Sequence, residues 1–316
     1  MPLPDFLVIG APKTGTTALH AALRRHPELF LSEVKEPKHF LTDGPPPAQG
    51  GPGDAATYRE HVWRRSDYEA LFAAAPPGAP RGEATPFYLY DLAAQRRIHA
   101  AIPHARLIAI LRDPVERAHS NWVHLWSAGL EPLDDLVRAC ADEPRRVAAG
   151  WAHFWHYTGL GRYGEQLAHL FTLFPREQVL TFRYRDLLDR PAETLDRICV
   201  FLGVAPGLLT EVPRQNVTAH PGRRPTLLSA FRRRLRGGLA DRVETRLQRD
   251  GLARRPLTWE QRRELLPHFA ADIRLLQEVT GEDFGDWLGP KRRSGGLVGP
   301  RPPGQRQARN GRPPLA

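Results

Sequence analysis

The chain alternates short apolar runs with stretches of helical spacing. Phe6 to Ile9, F-L-V-I, is continuously apolar and predicts a buried strand. From Thr16 onward, T-T-A-L-H-A-A-L-R-R has helical spacing, with Leu19 and Leu23 on one face. His26 to Ser32 ends that helix and starts a short extended piece. Y-R-E-H-V-W-R-R-S-D-Y-E-A-L-F (58–72) predicts a pair of helices, and G-E-A-T-P-F-Y-L-Y (82–90) a short strand or loop edge. R-L-I-A-I-L (106–111) is a second continuous apolar run, as in a parallel sheet covered on both faces. It ends in Arg112-Asp113-Pro114, and a helix follows with Pro114 near its first turn. Q-V-L-T-F-R-Y (178–184) is a third strand. Residues 163–174 and 191–203 are amphipathic helices, the second stopped by Gly203. A basic helix over 224–238 and a last long helix over 258–281 complete the pattern. Strands alternating with helices imply right-handed crossovers and an α/β fold: a three-layer structure with a central parallel sheet flanked by helices.

Composition narrows the class. With 316 residues, 41% of them hydrophobic, the chain can form one large α/β domain or two small ones. No window approaches 18 consecutive apolar residues, so no membrane span is expected. The N-terminal M-P-L-P-D lacks the basic and apolar regions of a signal peptide. Cys140 and Cys199 lie far apart with no metal-ligand spacing, which predicts buried thiols in a reducing, cytoplasmic compartment and no metal. The net charge of +10 suggests a nucleic-acid partner until it is located. Residues 289–316 carry seven basic residues and no acid, so the remainder holds only +3. That segment is rich in Pro, Gly and Arg and predicts a disordered tail behind a single domain, 1–288, with no nucleic-acid partner. The Gly-, Pro- and Ala-rich residues 43–56 predict a flexible surface insertion. Only Lys13, Lys35, Lys38 and Lys291 are lysines, and the other 41 of 45 basic residues are arginine. Three of the four lysines fall between residues 13 and 38, which suggests that a compact point charge matters there.

That region also holds the clearest chemistry. A strand, a small-residue loop from Gly10 to Gly15 and a helix beginning at Thr16 form a phosphate-binding arrangement. The glycine spacing is P-loop-like, matching G-x-x-x-x-G-K-[ST] of nucleotide triphosphatases. Thr16, however, stands where that loop needs Lys, and the lysine sits three residues earlier at Lys13. The residues alone leave open a phosphate-like ligand held differently, an unusual triphosphatase loop, or a plain strand-turn-helix.

P-K-T-G-T-T after a strand resembles the 5′-phosphosulfate loop of sulfotransferases, which use 3′-phosphoadenosine 5′-phosphosulfate (PAPS) and release 3′,5′-adenosine diphosphate (PAP). L-R-D-P-V-E-R-A-H-S-N-W resembles the family's 3′-phosphate motif, with Arg112 and Ser120 in the matching places. A guanidinium can grip a phosphate bidentately and a hydroxyl can add a hydrogen bond. Gly161-Arg162-Tyr163, F-P-R-E-Q-V-L-T-F-R-Y-R-D-L and R-L-L-Q-E-V-T-G-E-D-F-G-D-W-L extend the resemblance, which covers about residues 5–288 and is similar to bacterial members and to heparan sulfate sulfotransferases. The resemblance implies a sulfotransferase moving a sulfuryl group from PAPS to a hydroxyl or amine of a carbohydrate or small-molecule acceptor, with no metal required. It places the donor on Pro12, Lys13, Thr14, Gly15, Thr16, Thr17, Arg112 and Ser120, with Arg223 and Arg224 closing over the nucleotide. K-E-P-K-H-F aligns with the loop carrying the family's catalytic glutamate, which makes Glu36 the expected base and the adjacent His39 its rival. Lys13 is expected to neutralise the leaving phosphate and Lys38 to contact the sulfuryl group. G-E-A-T-P departs from the family's E-K-[ST]-P, with Ala84 in place of Lys, which weakens a sulfated-polysaccharide acceptor. Glu83 is expected either to bind substrate or to make a structural hydrogen bond. Acceptor specificity is expected from 43–56 and from W-A-H-F-W-H-Y (151–157), an aromatic cluster that could equally be core. A small-molecule kinase and a non-catalytic nucleotide-binding protein are the alternatives. The kinase predicts Lys at position 16 and an acidic Mg²⁺ ligand at a strand end, which Thr16 and the F-R-Y strand end do not supply.

Overall fold

The computed structural model describes residues 2–41, 43–44, 50–213 and 256–289. Its centre is a five-stranded sheet in the order β2-β3-β1-β4-β5. The strands are β1 (Phe6–Gly10), β2 (Phe30–Leu31), β3 (Arg81–Ala84), β4 (Arg106–Leu111) and β5 (Val179–Arg183). Every pairing is parallel. β1 sits in the middle, with Leu7 opposite Glu83 on one side and Leu107 on the other.

Pleating sends alternate side chains of these strands into two separate cores. Leu7, Ile9, Leu107, Ala109 and Leu111 face one layer, and Phe6, Val8, Ile108 and Ile110 face the other. The first layer is closed by α4 (Leu92–Ala101), α5 (Pro114–Ser127), α8 (Tyr163–Leu173) and α12 (Pro267–Thr280). The second is closed by α1 (Thr16–Leu23), α9 (Tyr184–Asp189) and α10 (Pro191–Leu202). This is why the strands read as continuous apolar runs rather than alternating ones.

Helix ends follow local chemistry. Asp113 caps α5 by accepting from the amides of Val115 and Glu116, and Pro114 occupies the first helical position. Gly203 and Gly281, at φ of 77° and 75°, stop α10 and α12. The helix pair falls at α2 (Asp54–Arg59) and α3 (Arg65–Ala70). The long final helix is instead two, α11 (Trp259–Leu265) and α12, because Pro267 has no N–H to donate back along the first. Two short helices, α6 (Leu136–Ala141) and α7 (Glu143–Ala148), follow α5 without a counterpart in the sequence reading. Cys140 and Cys199 are free and buried, one in each layer. No helix among the described residues is long and apolar enough to cross a membrane. The basic helix expected over 224–238 and the tail, apart from Gly289, lie outside the described residues.

Because β4 is buried on both faces from Leu107 to Leu111, Ile108→Ala should lower stability by about 2–5 kcal/mol. Val200→Ala, on the exposed face of α10, should change it by no more than about 0.5 kcal/mol. Urea unfolding of the two variants checks this, and similar losses for both would show that the sheet's second face is not packed as described.

Candidate active site

The carboxyl ends of β1, β3, β4 and β5 open into one cavity of about 1360 Å³. β1 has β3 on one side and β4 on the other, so the crossovers diverge around its end and leave a crevice there. Ligands of open α/β sheets collect at such a point.

The loop from β1 to α1 lines the cavity with Pro12, Lys13, Gly15, Thr16 and Thr17. No side chain caps the N-terminus of α1, so its first amides are available to an anion. Gly15 is required twice over: its φ is 85°, and a Cβ there would lie 2.7 Å from the Tyr184 ring. Thr14 does not reach the cavity. Its buried hydroxyl donates to the Ala11 carbonyl at 2.7 Å and braces the loop from inside. Lys13 sits at φ 69°. Burial pushes its ammonium down to about 8, opposed by the nearby Glu36 carboxylate and aided by Arg112, Arg117 and Lys35.

Arg112, just beyond β4, lines the same cavity together with Ser120 on α5. Its guanidinium donates to the Lys13 carbonyl at 3.4 Å, pairs with Glu116 and lies over the Tyr184 ring at 5.2 Å. The neighbouring Asp113 turns the other way and pairs with the buried Arg262 at 2.9 Å. The Arg-Asp-Pro triplet is therefore both a helix start and a cavity wall, with its two charges facing opposite directions.

Glu36 and Lys38 line the opposite side. Their loop is laced onto β3 and the turn after it. The amide of Glu36 donates to the Ala84 carbonyl at 3.1 Å, that of Lys38 to Thr85 Oγ1 at 3.3 Å, and that of Phe40 to the Tyr88 hydroxyl at 3.3 Å. A following proline favours an extended backbone, as Pro37 should at Glu36. The backbone instead turns left-handed there, with φ of 60° at Glu36 and 59° at Lys38. Glu36 is half-buried and ion-paired with Lys35, whereas the Lys38 ammonium is held by Glu60 at 3.3 Å. His39 is not brought into the cavity: it stacks on Tyr68 at 4.2 Å and its Nδ1 donates to the Val62 carbonyl at 2.9 Å. Arg223 and Arg224 lie outside the described residues.

Glu83 proves structural rather than substrate-facing. It is wholly buried and accepts from Thr85 Oγ1 at 2.9 Å and from the Tyr68 hydroxyl at 3.2 Å. Burial raises its carboxyl to about 7, against those hydrogen bonds and with a small further push from Glu36.

Residues 4–206 match the Sulfotransferase family. The chain belongs to the sulfotransferase family. Heparan sulfate glucosamine 3-O-sulfotransferase 6 of Homo sapiens is 30% identical over 203 residues, covering 64% of this chain and 52% of that protein. Carbohydrate sulfotransferase 15 of Mus musculus is 29% identical over 278 residues, covering 68% of this chain and 47% of that protein. The chain thus spans about half the length of these curated relatives. A sulfotransferase structure from Alicyclobacillus acidocaldarius shares the fold at a TM-score of 0.73 and 25% identity, covering 91% of this chain and 99% of that one.

Sequence reasoning missed several residues that the fold places in the cavity. Tyr184 packs on the loop between β1 and α1 but lies 169 residues from Gly15 in sequence. His124 follows Ser120 by four residues on α5, a spacing that could have revealed it. Burial lowers His124 to about 4, with the Lys13 charge adding to the effect and Glu36 opposing it. Of the segment 43–56, residues 45–49 lie outside the described residues, and the end that is described, 50–56, is anchored. Asp54 is buried and accepts from the amide of Gly51 at 2.6 Å, from that of Ala152 at 2.7 Å and from Trp155 Nε1 at 2.8 Å. Residues 50–56 and the 151–157 segment are thereby joined into one wall.

Glu83 should make stability depend on pH. Its folded-state affinity for a proton is raised from the ordinary 4.5 to about 7, so its contribution is complete below about 4.5 and lost as pH rises through about 7. Glu83→Gln cannot ionise, so its melting temperature should gain on the parent's between about pH 5 and pH 8. Parallel melting curves across that range would show that Glu83 titrates as an ordinary surface carboxyl.

Proposed function

We propose that the chain transfers a sulfuryl group from PAPS to an acceptor hydroxyl, with Glu36 as general base. The observation that carries this reading is the Arg112 guanidinium reaching the Lys13 carbonyl at 3.4 Å. It joins the family's two donor-binding motifs into one cationic rim around the uncapped start of α1. The chemistry of this rim fits a nucleotide bearing two separate phosphate-type groups. Pro12, Lys13, Gly15, Thr16 and Thr17 would hold the phosphosulfate end, and Arg112 with Ser120 the 3′-phosphate. The amide of Thr14 belongs to the same loop, while its hydroxyl serves the loop itself.

When bound, the donor supplies an activated sulfuryl group on a phosphate leaving group. Lys13 provides positive charge beside the loop, where charge builds on that phosphate. Glu36 takes the proton of the acceptor hydroxyl as it attacks, and its backbone is fixed for this by the Ala84 carbonyl. Lys38 contributes charge at the rim, tempered by Glu60. His39 has no route to the acceptor from its place against Tyr68.

Glu36→Gln should lower turnover with PAPS by at least about 10²-fold and leave PAP affinity nearly unchanged. His39→Asn should cost less than about 10-fold. Near-normal turnover of Glu36→Gln with a dead His39→Asn would reverse the roles.

Lys13 gives a second expectation. As pH rises through about 8 the free protein loses this charge, so PAP should bind more weakly, by up to about 10-fold at pH 9 relative to pH 7. In Lys13→Met, calorimetric titration should show weak binding with that pH step missing. A step that survives in the variant would assign the titration to another group.

A further inference from the structure

The cavity is chemically two-sided. Its donor side carries Lys13 and Arg112. Its far side is walled by Tyr58, Phe87, Leu125, Leu130, Phe154 and Trp155. Phe87 and Phe154 meet at 5.3 Å, and His124 meets the Phe154 ring edge-on at 5.5 Å. The wall is rigid at its base. Trp155 Nε1 is held by Asp54, and Arg146, fully buried and paired with Glu131 at 2.7 Å, lies over the Trp155 and Tyr157 rings.

The charges near this wall are negative or cancelled. Lys38 is paired with Glu60, Asp54 lines the cavity itself, and Asp91, behind the wall and 3.9 Å from His153, is paired with Arg97 at 3.7 Å. Among the described residues no unpaired lysine or arginine lines the far side. The histidines there add no cation, since burial lowers both His61 and His124 to about 4 and both are neutral at pH 7. A sulfated or uronate-bearing chain would meet carboxylates and apolar rings instead of the cations its own charge requires. His61, with a buried Nδ1 that has no hydrogen-bond partner, and His124 still offer polar atoms to orient a hydroxyl.

We propose that the far half of the cavity takes an uncharged hydroxyl compound with an aromatic or other apolar body as the sulfuryl acceptor, in place of an anionic glycan. This rests on the sulfuryl-transfer reading and names its acceptor class. Rings and aliphatic groups fill most of this wall, and the charged side chain among them, Asp54, is an anion whose oxygens are already taken by the Gly51 and Ala152 amides and by Trp155 Nε1.

The full chain saturated with PAP is titrated by calorimetry with 2-naphthol and with a sulfated chondroitin tetrasaccharide, and each is then offered with radiolabelled PAPS. The naphthol should bind at least about 10-fold more tightly and accept sulfate, and Phe154→Ala should weaken it about 10-fold with PAP affinity unchanged. Phe154→Leu, which keeps an apolar filler, should recover most of that loss. Tighter binding or faster sulfation of the tetrasaccharide overturns the proposal, as does binding of neither compound, or naphthol binding indifferent to Phe154→Ala. Failure of PAP itself to bind would instead remove the sulfuryl-transfer reading beneath it.

Discussion

The active-site half of this fold hangs on one buried carboxyl. Glu83 sits in β3, opposite Leu7 of the central strand, where no water reaches it. A lone carboxyl in such a place is unfavourable unless its oxygens are occupied or it is protonated. Tyr68 and Thr85 occupy them. Because Thr85 Oγ1 donates its hydrogen to Glu83, its lone pairs are free to accept the Lys38 amide. The Tyr88 hydroxyl does the same for Phe40 one step along. A polar group inside the core thus fixes the loop that carries Glu36 and Lys38 relative to the strand that carries the phosphate loop.

That fixation is needed because the loop is strained. Among the described residues, the only non-glycine positions with positive φ are Lys13, Glu36 and Lys38. Each such conformation costs on the order of 1–3 kcal/mol and persists only where its surroundings over-determine it. At Lys13 the bracing comes from Thr14 below and Arg112 across. At Glu36 and Lys38 it comes from the hydrogen bonds to Ala84 and Thr85. The strained residues are the ones assigned to the chemistry: Lys13 is tied down from the ends of β1 and β4, and Glu36 and Lys38 both from the end of β3.

The far wall is built separately and by different means. Asp54 joins two segments about 100 residues apart, and the buried Arg146–Glu131 pair, with the Tyr157 hydroxyl on Glu131, stiffens the aromatic cluster behind them. Breaking a buried pair of this kind leaves an uncompensated charge, so such a wall resists change at its base. Trp155 takes part in both the wall and its base, whereas the Phe87 and Phe154 rings meet only each other and their neighbours by ring contact.

What the sequence determined by itself was whatever depends on neighbours within a few residues. The apolar runs of β1, β4 and β5, the glycine stops at Gly203 and Gly281, the Asp113-Pro114 helix start and the strand-loop-helix from Phe6 to Leu23 were all legible, because periodicity, φ preference and missing donors act locally. The break at Pro267 was legible by the same rule and was read through. Direction was not legible. That Thr14 points inward while Lys13 faces the cavity, that His39 turns to Tyr68 while Glu36 does not, and that Glu83 is buried rather than offered to a ligand depend on strands and helices tens of residues away. The strand order, the recruitment of Tyr184 and His124, and the conversion of a Gly- and Pro-rich insertion into a wall through Asp54 belong to the same class. Residue types declare what chemistry is available, but a side chain's facing is set by which long-range contacts bury its other side, and only the tertiary structure decides that.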